Sequence, residues 1–187
     1  MEADIADLMS ELREDHRNMG IVLDLLDTVI EHIRNEDDTD LELLGEIMHY
    51  MTVYPDAVHH PKEDLVYEQL QHNRPDLAEG LDDVPGDHAD IAELGIRLRN
   101  DVESIESGTA VRRQQLIDDA TNYVQRLRNH MKWEESDLFK RVDRMIESKK
   151  HPIDVSHLEE VADPVFGRSA TAGFNRLMES LEQAKNT

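Results

Sequence analysis

The stretch IADLMSELREDHRNMGIVLDLLDTVIEHI, residues 5–33, decides the fold class. Ile5, Leu8, Leu12, Met19, Leu23, Leu26, Ile30 and Ile33 fall at three- and four-residue steps, the spacing that lines one face of an amphipathic helix. One polar residue lies inside that apolar stripe. His16 sits four after Leu12, three before Met19 and seven before Leu23, so it points the same way as the core side chains.

The same period recurs along the chain. Asn35-Glu36-Asp37-Asp38-Thr39-Asp40 ends the first helix and offers N-caps for the next. A second helix is expected over 41–71, with Leu44, Met48, Met51, Val66 and Leu70 inward and a kink or break at Pro55 and Pro61. The longest loop is expected from His72 to Pro85. A third helix runs from about Asp87 to Glu106, with Ile91, Leu98, Val102 and Ile105 on one face. After a short turn at Ser107-Gly108-Thr109, a fourth runs from about Ala110 to Ser148, aligning Leu116, Ala120, Tyr123, Leu127, Leu138 and Met145. Strand patterns and Gly-rich phosphate loops are absent. The expectation is an all-α, up-down-up-down antiparallel four-helix bundle over 1–148, with a short helical C-terminal extension over 149–187. Within that extension, short helices are expected at 155–161 and 171–184. It should pack on the bundle or on a second subunit, so a homodimer is one possible assembly.

The 187 residues carry 42 Asp+Glu, 20 Lys+Arg and no Cys, for a net charge of −22. That balance argues against nucleic acid and anionic membrane surfaces as partners, since both require clustered Lys/Arg. Zero Cys excludes disulfides, thiolate zinc sites and iron–sulfur clusters. The first residues, Met1-Glu2-Ala3-Asp4-Ile5, lack the basic and apolar regions of a signal peptide, and no apolar run approaches a membrane span, so a cytoplasmic location is expected. Residues 1–100 hold 26 acids against 7 bases, which reads chiefly as solvated acidic surface.

The other helices repeat what His16 does. His88 lies three before Ile91 and fourteen before Val102. His130 lies seven after Tyr123 and three after Leu127. His59 lies seven before Val66 and eleven after Met48, across the prolines. Each helix thus turns one histidine inward. Two of them have an acid four residues on, His59 with Glu63 and His130 with Glu134, and that step places both side chains on one helix face. The chain has five His-x-x-x-acid pairs, and place inside the apolar stripe singles out these two; His32 lies opposite its own stripe. The levels agree as well. His16 is 18 residues above the end of its helix and His59 is 18 residues into the next. His88 and His130 are 18 and 20 residues from their shared turn. Four imidazoles and two carboxylates therefore converge in one layer. Burying them without a partner costs several kcal/mol per uncompensated charge, and a metal site is the favoured solution over a layer of His–Glu pairs. Six nitrogen and oxygen ligands exceed one tetrahedral zinc and suit a pair of iron or manganese ions with bridging carboxylates.

At this point the sequence resembles the hemerythrin-like, HHE cation-binding family. The resemblance rests on Asp15-His16, His59-His60-Pro61-Lys62-Glu63-Asp64, Asp87-His88 and His130-Met131-Lys132-Trp133-Glu134-Glu135, covering about residues 10–148, with weaker support from Asp163-Pro164-Val165-Phe166-Gly167. It implies a non-haem di-iron centre, two Fe ions bridged by oxo or hydroxo and by both glutamates, with His16, His59, Glu63, His88, His130 and Glu134 as ligands. The oxygen-carrying members have a further histidine where this chain has Ala92. The ligand set is more similar to bacterial four-His, two-Glu members linked to nitric oxide and iron–sulfur repair, though with no Cys among these 187 residues the thiol chemistry of their Cys-bearing N-terminal domain is not expected here.

What the resemblance implies for function is a small ligand, O2, NO or peroxide, bound for sensing, scavenging or storage. An enzyme reducing peroxide or nitric oxide, or a protein supplying iron for repair, is the alternative. A metal-free acidic helical interaction module is the reading from a different class. His60, at the stripe's edge, reads as lying behind the ligands or at the surface before it reads as a ligand. Tyr67 and Tyr123 read as core, and Trp133 and Phe139 as cover for the site or edge packing. A Glu46-x-x-His49 pair lacks the second core-facing copy that a ferritin-like site needs.

Overall fold

In this computed structural model, residues 5–148, 153–155, 158, 161–167 and 172–185 are described. Helix α1 spans Ile5–Asn35. Helix α2 (Leu41–Tyr54) continues through a π-helical turn, Pro55–His59, into α3 (His60–Asn73). Two 3-10 turns, Pro75–Leu77 and Leu81–Asp83, lead into α4 (Val84–Glu106). Helix α5 (Arg113–Trp133) likewise continues through a π-helical turn, Glu134–Leu138, into α6 (Phe139–Ser148), and α7 covers Asn175–Lys185. Among the described residues there is no strand.

These segments make four rods: α1, α2–α3, α4 and α5–α6. α1 lies against α2 and α5, and α4 lies against the same two, which closes a four-helix bundle. The local signals act as their chemistry requires. Asp40 accepts from the backbone N–H of Leu43 at 2.9 Å and caps α2. Glu36, just past α1, takes a left-handed φ of 61°, and the following Asp37 N–H closes back on the His32 carbonyl at 3.0 Å.

The kink or break expected at Pro55 and Pro61 takes the form of one wide turn that keeps the rod continuous. Pro61 has no N–H to return to the carbonyl four residues back, and the His60 N–H instead reaches the Pro55 carbonyl, five residues back. The fourth rod repeats this where no proline demands it, with the Phe139 N–H on the Glu134 carbonyl. The third helix starts at Val84, earlier than Asp87, with Pro85 in its first turn where the missing donor is harmless. In the C-terminal extension Val155, Leu158 and Val161 are not helical, which corrects the short helix expected at 155–161; residues 156–157 and 159–160 lie outside the described residues. The last helix begins at Asn175, later than expected, and Thr171 also lies outside the described residues.

The core has two apolar parts. The larger joins α1, α2, α4 and α5 around Leu23, Leu26, Met48, Leu98 and Leu127, and α7 adds Leu177 and Leu181 to it. The smaller, at the other end, gathers Leu8, Leu12, Val66, Leu70, Phe139, Val142 and Met145, with Ile153 and Val155 from the extension. His16, His59, His88 and His130 lie between the two, with dry side chains above and below.

Candidate metal centre

His16, on α1, brings its Nε2 to 3.3 Å from Glu63 Oε1 and 3.4 Å from Glu134 Oε2. His59, the last residue of the first π turn, places Nε2 3.2 Å from Glu63 Oε1. His88, near the start of α4, is 3.6 Å from Glu63 Oε2 and 3.8 Å from Glu134 Oε1. His130 on α5 is 3.3 Å from Glu134 Oε2. All six side chains named from the sequence therefore meet in one layer, and each of the two glutamates faces histidines from both halves of the bundle. Both glutamates are fully buried, and none of the four histidines is more than 6 % exposed.

The contacts inside this layer are close but not hydrogen-bonded. The Nε2 atoms of all four histidines, both Glu63 oxygens and Glu134 Oε2 are buried without a hydrogen-bond partner. Native interiors leave only a few such atoms per hundred residues, and rarely together. Seven of them, all lone-pair donors of the type that binds cations, aimed at one volume, fit metal ions. Grouped by mutual reach, His16, His59 and Glu63 form one set and His60, Glu63, His88 and His130 form another, with ligand atoms within 4.8 Å of one another. Glu63 belongs to both, as a bridging carboxylate would.

Behind the histidines runs a second set of carboxylates that the sequence reading did not assign. Asp15 accepts from His59 Nδ1 at 3.1 Å and Asp64 from His88 Nδ1 at 3.0 Å, while Glu135 faces His16 Nδ1 at 3.3 Å. Each acid sits on the rod before the histidine that it serves, with Glu135 returning from the fourth rod to the first. Donating from Nδ1 leaves the Nε2 lone pair facing inward and orients the ring, the arrangement common behind metal-ligating histidines. The signal in the sequence is adjacency, Asp15-His16, Glu63-Asp64 and Glu134-Glu135. It could not show that each acid pairs with a histidine on a different helix. The ring's fourth link is looser: Asp87 Oδ2 stays 3.8 Å from His130 Nδ1, which has no hydrogen-bond partner.

Electrostatics follow from this crowding. Burial alone would lower the basicity of His16, but the carboxylates of Glu134, Glu135 and Glu63 packed against the ring outweigh it and hold it up at about 11. Burial likewise opposes His59 and His88. The Glu63 charge leads the groups that raise His59 to about 9, and the Asp64 hydrogen bond leads those that raise His88 to about 10. Burial and the nearby Glu134 both push Glu63 up, yet the surrounding histidines win and hold it down at about 2. Glu134 is held well below the ordinary carboxylate range for the same reason, against its own burial. The direction of these shifts favours protons on His16, His59 and His88 beside the two carboxylates when no metal is bound.

Neighbouring residues complete the site. His60 is 4 % exposed and stacks on His88 at 4.2 Å, with Nδ1 3.3 Å from Asp56. It is therefore not at the surface but beside His88, within the second group of side chains that could hold a metal. Burial pushes it below its ordinary value. Tyr67 is core, as expected, but its hydroxyl also donates to Glu134 Oε1 at 3.0 Å. Tyr123 donates to the Met51 carbonyl at 3.1 Å, away from the layer. Phe139 is fully buried and stacks on His16 at 5.1 Å, whereas half-buried Trp133 sits at the edge, 6.3 Å from His130.

The family model for the hemerythrin HHE cation binding domain matches residues 7–142. The chain belongs to the hemerythrin HHE cation-binding family. The matched span contains all six clustered side chains of this hemerythrin domain. Comparison with curated proteins and with solved structures gives no match. Among the described residues of the hemerythrin chain, no helix is long and apolar enough to cross a membrane.

Proposed function

We propose that this hemerythrin-family chain is a non-haem di-iron protein, with His16, His59, His88, His130, Glu63 and Glu134 holding the two irons, and that it binds O2, NO or peroxide for sensing, scavenging or storage. The observation that carries the reading is the set of seven buried, unpartnered imidazole and carboxylate atoms aimed at one volume. The donor set has no thiolate and too many ligands for one tetrahedral zinc, and carboxylates able to bridge suit a pair of irons. When bound, the irons supply reversible ligand binding and electron transfer.

The chain's own residues do the rest. Glu63 and Glu134 offset the cationic charge where bulk water cannot. Asp15, Asp64 and Glu135 hold three imidazoles in the tautomer that points Nε2 inward. Phe139 and the apolar residues on both sides keep the layer dry. Tyr67 donates to Glu134 Oε1 and holds that carboxylate in place.

Metal analysis and a visible spectrum test the reading. Protein purified in air from iron-replete cells should carry about two irons per chain and show charge-transfer absorption that azide shifts. Glu63→Ala and Glu134→Ala should lose the iron while Glu36→Ala keeps it. Colourless, iron-free wild-type protein would overturn the proposal and favour a metal-free acidic interaction module.

A further inference from the structure

Three of the four histidines have Nδ1 within 3.0–3.3 Å of a carboxylate from the preceding rod. The fourth does not. His130 Nδ1 is buried without a hydrogen-bond partner, 3.8 Å from Asp87 Oδ2. Asp87 is drawn away by Arg126, whose guanidinium donates to Oδ1 at 2.5 Å and lies 3.7 Å from Asp90. Asp87 also lines an open pocket. That pocket, about 570 Å³, is lined by Gly80, Asp83, Gly86, Asp87, Asp90 and Trp133. Asp83 precedes α4 but caps no backbone N–H with its side chain, so its charge is not spent on the helix end. Arg126 pairs with two of the pocket's three carboxylates, Asp87 and Asp90, and Asp87 is followed inward by the loosely held His130, whose Nε2 lies 3.3 Å from Glu134 Oε2.

We propose that this acidic pocket is the loading port for divalent metal, Fe2+ above all, and that His130 is the ligand that swings to admit it. The proposal rests on the di-iron reading of the buried layer. An incoming hydrated cation is drawn to Asp83 and Asp90 and competes with Arg126 for Asp87. Once Arg126 is displaced, Asp87 is free to accept from His130 Nδ1, as Asp15, Asp64 and Glu135 do for the other three rings. That closes the ring of carboxylates behind the histidines and fixes Nε2 on the metal. Orientation of a ligand by the group behind it is the ordinary means by which proteins tighten a metal site, and an acidic mouth raises the local cation concentration and the rate of entry by tenfold or more.

The test is the rate of Fe2+ uptake by the full chain stripped of metal with a chelator, under anaerobic conditions, with incorporated iron counted after quenching at timed intervals. The double variant Asp83→Asn/Asp90→Asn should load about tenfold more slowly than wild type yet reach the same final iron content. Arg126→Gln should load faster. The charge-matched control Asp37→Asn/Asp38→Asn, on the exposed turn after α1, should load like wild type. Equal rates in wild type and the pocket variant, or equal slowing in the pocket variant and the control, would overturn the port while leaving the metal centre in place. Wild-type protein that takes up no iron would overturn the di-iron reading and the port with it.

Discussion

Metal loading of the buried layer should be steeply dependent on pH, and the slope follows from the geometry. Without metal, His16, His59 and His88 sit among carboxylates that hold their basicity at about 11, about 9 and about 10. All three are therefore protonated from pH 6.5 to 8, whereas Glu63, held at about 2, carries no proton to lose. A metal binds the neutral imidazole, so loading must expel these protons. Three protons released means that the apparent affinity rises by about three powers of ten per pH unit over that range. The assay is competition for Fe2+ against a chelator of known proton affinity, under anaerobic conditions, at half-unit steps from pH 6.5 to 8, with proton release measured independently in buffers of different ionisation enthalpy. A slope below one, or no proton release, would refute the claim that protonated imidazoles occupy the cation positions in the metal-free protein.

The same shifts set the stability of the metal-free form. Raised histidines contribute stability that is full below their ordinary value of 6.5 and is lost as pH rises through 9 to 11. The depressed Glu63 contributes stability that is present above 4.5 and lost as pH falls toward about 2. The metal-free melting temperature should therefore peak between pH 4.5 and 6.5, and the increase produced by metal should grow as pH rises above 6.5.

Other expectations are local. Asp15→Asn removes the carboxylate that accepts from both His59 Nδ1 and the Tyr54 hydroxyl; Fe2+ affinity should fall about 10–100-fold by chelator competition, while Glu36→Gln leaves it unchanged. Phe139→Ala opens a cavity beside His16 at a fully buried position and should cost about 3–5 kcal/mol in denaturant unfolding. Asp163→Ala leaves the buried Tyr50 hydroxyl, which donates to it at 2.9 Å, without its acceptor; about 1–3 kcal/mol of stability should be lost with iron content unchanged, measured by denaturation and metal analysis.

Much of the bundle was legible because helix periodicity is a local property. Leu12, His16 and Met19 share a face whatever surrounds them, and His59 with Glu63 and His130 with Glu134 share one through the four-residue step. The loop over 72–85 was marked by its prolines and glycines, though not the two short turns within it. The short helix expected at 155–161 did not form. Val155, nearly fully buried in the apolar cluster at the far end of the bundle, is not helical, and neither are Leu158 and Val161.

By itself the sequence determined the all-α class, the four rods and the six side chains that meet between them, since each follows from residue spacing along one helix. Tertiary structure alone decided how those side chains are held. The π turns at Pro55–His59 and Glu134–Leu138 shift the phase of the helix by one residue, so a constant 100° per residue cannot place His60, which turns out buried against His88. The carboxylates behind the histidines pair across helices, Asp15 with His59, Asp64 with His88 and Glu135 with His16, and no periodicity reports a contact between separate rods. The loose link between Asp87 and His130 depends on Arg126, 39 residues away, competing for the same carboxylate. Such competition exists only once packing has brought all three groups within reach of one another.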